Sequence, residues 1–160
     1  MSEPLDPHTE REIVDQIALL FEQSGYPPMM GRILAFLTVC DPPEQSSQDL
    51  ANYLHASKGA VSQATRMLMQ AGLIERVHVR NSRSYWFRLR ENAWQKAIYE
   101  ETHRIRRMRE VAEAGLDRMA HLPASRRRRL QEFHAMSSFF EDEYPRLIER
   151  WQQHTKERSS

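Results

Sequence analysis

A chain of 160 residues with a formal net charge of +1 is long enough for one compact domain with elongated parts. It holds no apolar run of about 18 residues and no charged-then-apolar leader, which argues against a membrane span or a secretion signal and makes a cytoplasmic protein the expectation. Its single cysteine, Cys40, cannot close an internal disulfide, in keeping with a reducing compartment.

Ile13, Val14, Ile17, Leu20 and Phe21 recur at helical spacing, so residues around 9 to 23 are expected to form an amphipathic helix that Gly25 ends. Pro27 and Pro28 sit where a second helix starts. Met30, Ile33, Leu34 and Leu37 carry it to about Cys40, where Asp41-Pro42-Pro43 forbids further helix. Ser46-Ser47-Gln48-Asp49 has the S-x-x-D form of an N-terminal cap, and Leu50, Ala51 and Leu54 follow on one face of a third helix ending near His55. Ser57 caps a fourth, which Gly72 stops. Val61, Ala64, Thr65 and Leu68 form its inward face, while Lys58, Gly59, Ser62, Gln63 and Arg66 fall on the outward side.

The third and fourth helices fit a helix-turn-helix, with the small Ala51 allowing a close crossing and Val61 as the apolar anchor. The outward residues at the start of the fourth helix are short polar groups and cations, the chemistry that meets base edges and phosphates in a major groove. A small first turn lets the backbone approach, and its N–H groups suit a phosphate. After Gly72, Ile74, Val77 and Val79 lie among Glu75, Arg76, His78 and Arg80, and Tyr85, Phe87 and Leu89 alternate with Trp86, Arg88 and Arg90, which predicts a β-hairpin. Its tip, Arg80-Asn81-Ser82-Arg83-Ser84, has the doubly basic composition of a wing lying along a phosphate backbone or in a narrow minor groove. His78 is an added DNA-facing donor on the polar side. Helix-turn-helix and basic hairpin together make a winged helix.

The small net charge conceals a segregation. Residues 1–49 hold Arg11 and Arg32 against nine acids, net −7, whereas residues 50–90 hold seven bases against Glu75 alone, net +6. A basic block on the fourth helix and hairpin is the electrostatic footprint of a polyanion partner.

From Asn92 the pattern is again helical. Trp94, Ile98, Ile105, Met108, Ala112 and Met119 follow three-four spacing, and after Pro123 a second series runs through Phe133, Phe140, Tyr144, Leu147 and Trp151. Such stripes need a partner, and a homodimer supplies one, with two reading heads on a near-palindromic site whose half-sites lie roughly one helical turn apart. The fold expected is mainly α with a small β-hairpin wing. Residues 1–26 form an N-terminal dimerisation helix, 27–91 the winged helix-turn-helix DNA-binding domain, and 92–160 a C-terminal helical dimerisation region. Pro145 should kink or break the last helix. The run Arg126-Arg127-Arg128-Arg129, placed against the helix dipole, is expected to pair with Glu100, Glu101 or Glu141-Asp142-Glu143, or more sharply with DNA backbone or an anionic effector.

Several stretches together resemble the GbsR-type branch of the MarR superfamily of bacterial transcriptional regulators. They are Gly25-Tyr26-Pro27, Met30-Gly31-Arg32-Ile33-Leu34, Asp41-Pro42-Pro43-Glu44-Gln45-Ser46-Ser47, Ser57-Lys58-Gly59-Ala60-Val61-Ser62, Gln70-Ala71-Gly72-Leu73-Ile74-Glu75-Arg76-Val77 and Phe87-Arg88-Leu89-Arg90. The motif-rich match covers about residues 20 to 95, and the flanking helices match in layout. The resemblance implies a dimeric winged-helix repressor with an effector site between the dimer interface and the DNA-binding lobe. It places the recognition helix at Ser57 through Ala71 and the wing at Arg80 through Ser84. DNA-contact candidates are Ser57, Lys58, Gly59, Ser62, Gln63, Arg66, Arg76, His78, Arg80 and Arg83. Where many family wings carry an acidic brace for the wing arginine, this chain has Asn81, which points Arg83 toward phosphate or minor groove. Named members of the branch respond to choline or glycine betaine, whose quaternary ammonium needs an aromatic cage. Trp94, Tyr99, Phe139, Phe140, Tyr144 and Trp151 supply rings, at a spacing that equally suits core or dimer interface.

Other chemistries find less. No glycine-rich phosphate loop, G-x-S-x-G elbow or paired-carboxylate motif argues for an enzyme, and no cofactor is expected. The histidines lack metal-site spacing, so no metal is expected. Only Trp86 offers a ring for RNA stacking. The alternatives carried are a winged-helix protein-interaction module and a redox-sensing regulator using Cys40.

Overall fold

The computed structural model describes residues 6–158. They fall into two compact units, one ending at Ala93 and one beginning at Trp94. The first contains α1 (Pro7–Gln23), α2 (Pro28–Val39), β1 (Gln45–Ser46), α3 (Ser47–Leu54), α4 (Lys58–Gln70), β2 (Ile74–Val77) and β3 (Trp86–Leu89); α5 (Ala93–Arg118) and α6 (Ala124–Arg158) follow.

Local capping sets the helix starts. The Asp6 carboxylate accepts the Thr9 backbone N–H at 2.9 Å, which holds its pKa below the usual carboxylate value. Ser46 and Asp49 close a reciprocal capping box, the serine hydroxyl accepting the Asp49 N–H at 3.1 Å and the Asp49 carboxylate accepting the Ser46 N–H at 2.9 Å. Ser57 Oγ accepts the Ala60 N–H at 3.1 Å and so starts α4. After α4 the chain reverses at Gly72, whose φ of 72° is left-handed.

The core of this unit is built where α2, α3, α4 and β2 converge. Ile33, Leu34, Leu50, Leu54, Val61, Leu68 and Ile74 are fully buried there. The small Gly31 lets α1 lie close on α2: a Cβ there would stand 3.1 Å from Phe21 Cβ and 3.2 Å from the Ala18 carbonyl oxygen.

The hairpin differs from expectation in two ways. It is part of a three-stranded antiparallel sheet of order β1-β3-β2, because Gln45 and Ser46 pair with Phe87 and Trp86. Its ladder is also shorter, with Ile74 opposite Leu89 and Val77 opposite Trp86, so that residues 78–85 leave the sheet. Asn81, with φ of 66°, and a hydrogen bond from the Ser82 N–H to the Val79 carbonyl at 3.1 Å turn this stretch back on itself.

In the second unit α5 and α6 run antiparallel. The Glu141 carboxylate accepts from Arg106 Nε at 3.0 Å and from Arg109 Nε, and Gly115 packs against Leu130. The hydrogen bond from Arg109 holds the Glu141 carboxyl below its ordinary pKa, and the Arg109 pKa is raised in turn. Pro145 lies inside α6 without breaking it. Glu141 and the buried Ile148, on either side of the proline, keep the helix seated as it passes through.

The arginine run is not paired as expected. Glu141 is engaged by Arg106 and Arg109, Glu101 by Arg104, and Glu143 by Arg146, while Arg128 reaches Glu132 one turn along at 3.6 Å. Successive helical side chains diverge by about 100°, so four adjacent arginines cannot share one acidic neighbour. Among the described residues no helix is long and apolar enough to cross a membrane.

Candidate nucleic-acid interface

The two faces of α4 behave as its sequence period dictates. Val61, Ala64, Thr65 and Leu68 are buried, and the Thr65 hydroxyl donates to the Val61 carbonyl at 2.8 Å rather than remaining unpaired. Ser57, Lys58, Gly59, Ser62, Gln63 and Arg66 are all exposed. Arg66 lies along its own helix, with Nε donating to the Ser62 carbonyl at 3.3 Å. The first turn contains no acidic side chain. Around Gly59 the folded chain leaves room: the nearest atom to a Cβ built there is Ser57 Oγ, at 3.9 Å. Internal packing therefore does not require glycine at this position.

On the wing, Arg76, His78, Arg80 and Arg83 are exposed. Arg76 is partly committed within the chain, its guanidinium 4.7 Å from the centre of the Tyr85 ring. Arg76, His78, Arg83 and Tyr85 border a polar hollow of about 510 Å³ with Ser82 and Ser84. The wing also has a brace that the sequence did not reveal. Ser82 Oγ accepts the Trp86 indole N–H at 2.8 Å and the Ser84 backbone N–H at 3.2 Å. Trp86 is thus half-buried and committed, not a platform for stacking bases.

Arg88 and Arg90 are neutralised where they stand. Arg88 contacts Glu75 at 2.8 Å and Glu44 at 3.5 Å, and Arg90 approaches Glu75 at 4.0 Å. The hydrogen bond to Glu75 raises the Arg88 pKa. Within the basic block of residues 50–90, the cations that remain unpaired with acids are therefore those of α4 and the wing.

Cys40 is half-buried at the end of α2, and burial pushes its thiol up to about 11. The thiolate is the reactive form, so at pH 8 Cys40 should be alkylated by iodoacetamide well below the rate of a free cysteine. The rate should climb about tenfold per pH unit until the pH nears the thiol's own value. Stopped alkylation with mass detection checks this, and free-thiol rates at pH 8 would contradict it. Among the described residues no three His, Cys, Asp or Glu side chains converge as metal ligands would.

Of the six rings that suggested a cage, Phe139, Phe140, Tyr144 and Trp151 all stand on α6. Phe139 meets Phe140 at 5.6 Å, Phe140 meets Tyr144 at 6.0 Å, and Trp151 meets His154 at 6.1 Å, a succession along α6. A cavity of about 580 Å³ does lie between the start of α5 and the last third of α6, with Ile98, Leu147, Ile148 and Trp151 as its apolar lining and Arg150 and His154 beside them.

A profile of MmpR5-like MarR family transcriptional regulators matches residues 92–154. Over 146 residues, 91% of this chain and 88% of the relative, the sequence is 37% identical to the HTH-type transcriptional regulator MmpR5 of Mycobacterium tuberculosis (strain ATCC 25618 / H37Rv). The chain belongs to the MarR family of transcriptional regulators, in its MmpR5-like group. A solved structure described as a transcriptional regulator is similar to this MarR-family chain at 36% identity, with a TM-score of 0.75, covering 90% of this chain and 98% of that one. The winged helix of this MarR-family protein is thus a DNA-binding module for transcription regulation.

Proposed function

We propose that this MarR-family protein is a homodimeric repressor that binds a pseudo-palindromic operator, with α4 in the major groove and the wing on the backbone or minor groove. An unidentified small molecule releases it by changing the spacing of the two heads, since DNA fixes that spacing. The observation that carries the reading is the division of α4. Its apolar face is buried, and every short polar or cationic residue of its other face is exposed beside a wing whose surplus arginines are unpaired with acids once Arg88 and Arg90 are set aside.

MarR-family regulators bind DNA as dimers. In this chain Ile98, Val111, Met136, Phe139, Leu147 and Trp151 of α5 and α6 are exposed, as are Leu19 and Leu20 of α1, and a second copy would cover such surface. On this reading residues 1–26 and 92–160 serve the dimer and residues 27–91 read DNA. The motifs over residues 20 to 95 support a GbsR-type placement within the family. Operator DNA as the partner makes the cytoplasm the place of action.

Ser62 and Gln63 carry base discrimination, while Lys58, Arg66 and the wing cations hold the backbone. Gln63→Ala is expected to relax sequence preference. Arg83→Ala should weaken all duplexes about equally, with the salt slope reduced by about one charge. Fluorescence anisotropy against DNA from upstream of the gene and against a shuffled duplex, at several salt concentrations, measures both. Equal effects of the two substitutions on preference would overturn the division of labour. No binding even at low salt would assign the winged helix to a protein partner.

A further inference from the structure

Met67 lies on α4 one turn beyond Gln63 and is 39% exposed, an apolar side chain on the side of the helix that otherwise carries polar and cationic groups. It opens onto a hollow of about 210 Å³ lined by Pro27, Pro28, Met29, Met30, Gln63 and Met67. Three thioethers therefore meet the only hydrogen-bonding side chain of this lining in a space open to water and small oxidants. The chain's one thiol is a poor competitor for an oxidant, because Cys40 is half-buried and stays protonated. Thioether oxidation needs no deprotonation.

We propose that Met67 is a modification site: a peroxide converts it to the sulfoxide, and the oxidised side chain takes Gln63 away from DNA. In the step, the sulfur lone pair attacks one peroxide oxygen, an S–O bond forms and the O–O bond breaks. The departing oxygen takes up the remaining proton and leaves as water; sulfur is oxidised by two electrons and the peroxide reduced by two. The product is a strong acceptor on the same helix face as the Gln63 carboxamide, since residues four apart are neighbours. The hollow has room for the added oxygen, so the amide N–H turns toward the sulfoxide without α4 being forced off its seat. The cations of α4 and the wing are untouched. Oxidation therefore removes the share of sequence preference that Gln63 carries and leaves the salt-dependent backbone binding in place, and a methionine sulfoxide reductase restores the reader.

This rests on Gln63 as a base reader, so the test separates the two. Reduced wild type and Gln63→Ala are first compared on operator and shuffled duplexes; unchanged discrimination in Gln63→Ala overturns the reading of Gln63 itself. The wild type is then treated with hydrogen peroxide until peptide mass spectrometry shows one oxygen on Met67. The expected result is a loss of preference of roughly tenfold with an unchanged salt slope. Met67→Leu should keep its preference after the same treatment, whereas Met136→Leu and Cys40→Ser should lose it as the wild type does. Met67→Gln, which places an amide at the same site, should lose preference with no oxidant at all. Full discrimination by protein oxidised at Met67, or protection by Cys40→Ser, overturns the proposal.

Discussion

Gly59→Leu is expected to weaken operator binding by roughly a hundredfold, about 2.7 kcal/mol, while the isolated protein remains folded and no less stable. In the folded chain a Cβ at residue 59 meets nothing closer than 3.9 Å, so a side chain is accommodated without repacking. Glycine inside a helix costs about 0.5–1 kcal/mol relative to alanine, so its replacement in the first turn of α4 should leave the melting temperature level or slightly raised. The fold thus gains nothing from glycine here. On the proposed docking the gain lies outside the chain, where the first turn brings its backbone against a phosphate or a groove wall. Thermal melting and anisotropy on the same preparation read the two effects together. If Gly59→Leu binds operator as the wild type does, the start of α4 does not approach the duplex, and the docking of this helix must be redrawn.

The elements that carry this prediction were legible in the sequence because their signals are local. Ser57 accepts from a backbone N–H three residues on, and the 3.6-residue period sorts Val61, Ala64 and Leu68 from Ser62, Gln63 and Arg66. Gly72 marks the stop by its own backbone conformation. What escaped depends on partners far apart in the chain. Gln45 and Ser46 look like a loop and a cap, and they become a strand only because Phe87 and Trp86 arrive beside them. Arg88 counts as a free cation in any local window until Glu44 is brought to 3.5 Å from it across the sheet. The basic block was therefore real in position and overstated in strength. The Ser82–Trp86 brace was hidden for another reason: a tryptophan read by strand alternation gives no sign of where its indole N–H points. Glu141 illustrates the same limit in the helical unit, since its partners Arg106 and Arg109 lie more than thirty residues away.

Leu68→Ala is expected to destabilise the DNA-reading unit by about 3 kcal/mol. Leu68 is fully buried on the inner face of α4, and α4 is anchored through that face to α2 and α3. Removing its branched end discards transfer free energy and leaves a cavity that the core packed between α4, α2 and α3 fills only in part. For a unit of this size the loss corresponds to a fall in melting temperature on the order of 10–20 °C. Leu68→Met, which nearly conserves volume, should cost less than about 1.5 kcal/mol. DNA binding adds a second reading of the same variant. Lys58, Gln63 and Arg66 stand on the opposite face, so at a temperature where Leu68→Ala is still folded its salt slope should equal that of the wild type. Its apparent affinity should fall only as its folded fraction falls. A shallower slope in the folded variant would mean that the cavity lets α4 shift. The buried face would then set where the outward cations meet the duplex, as well as whether the helix is present to carry them.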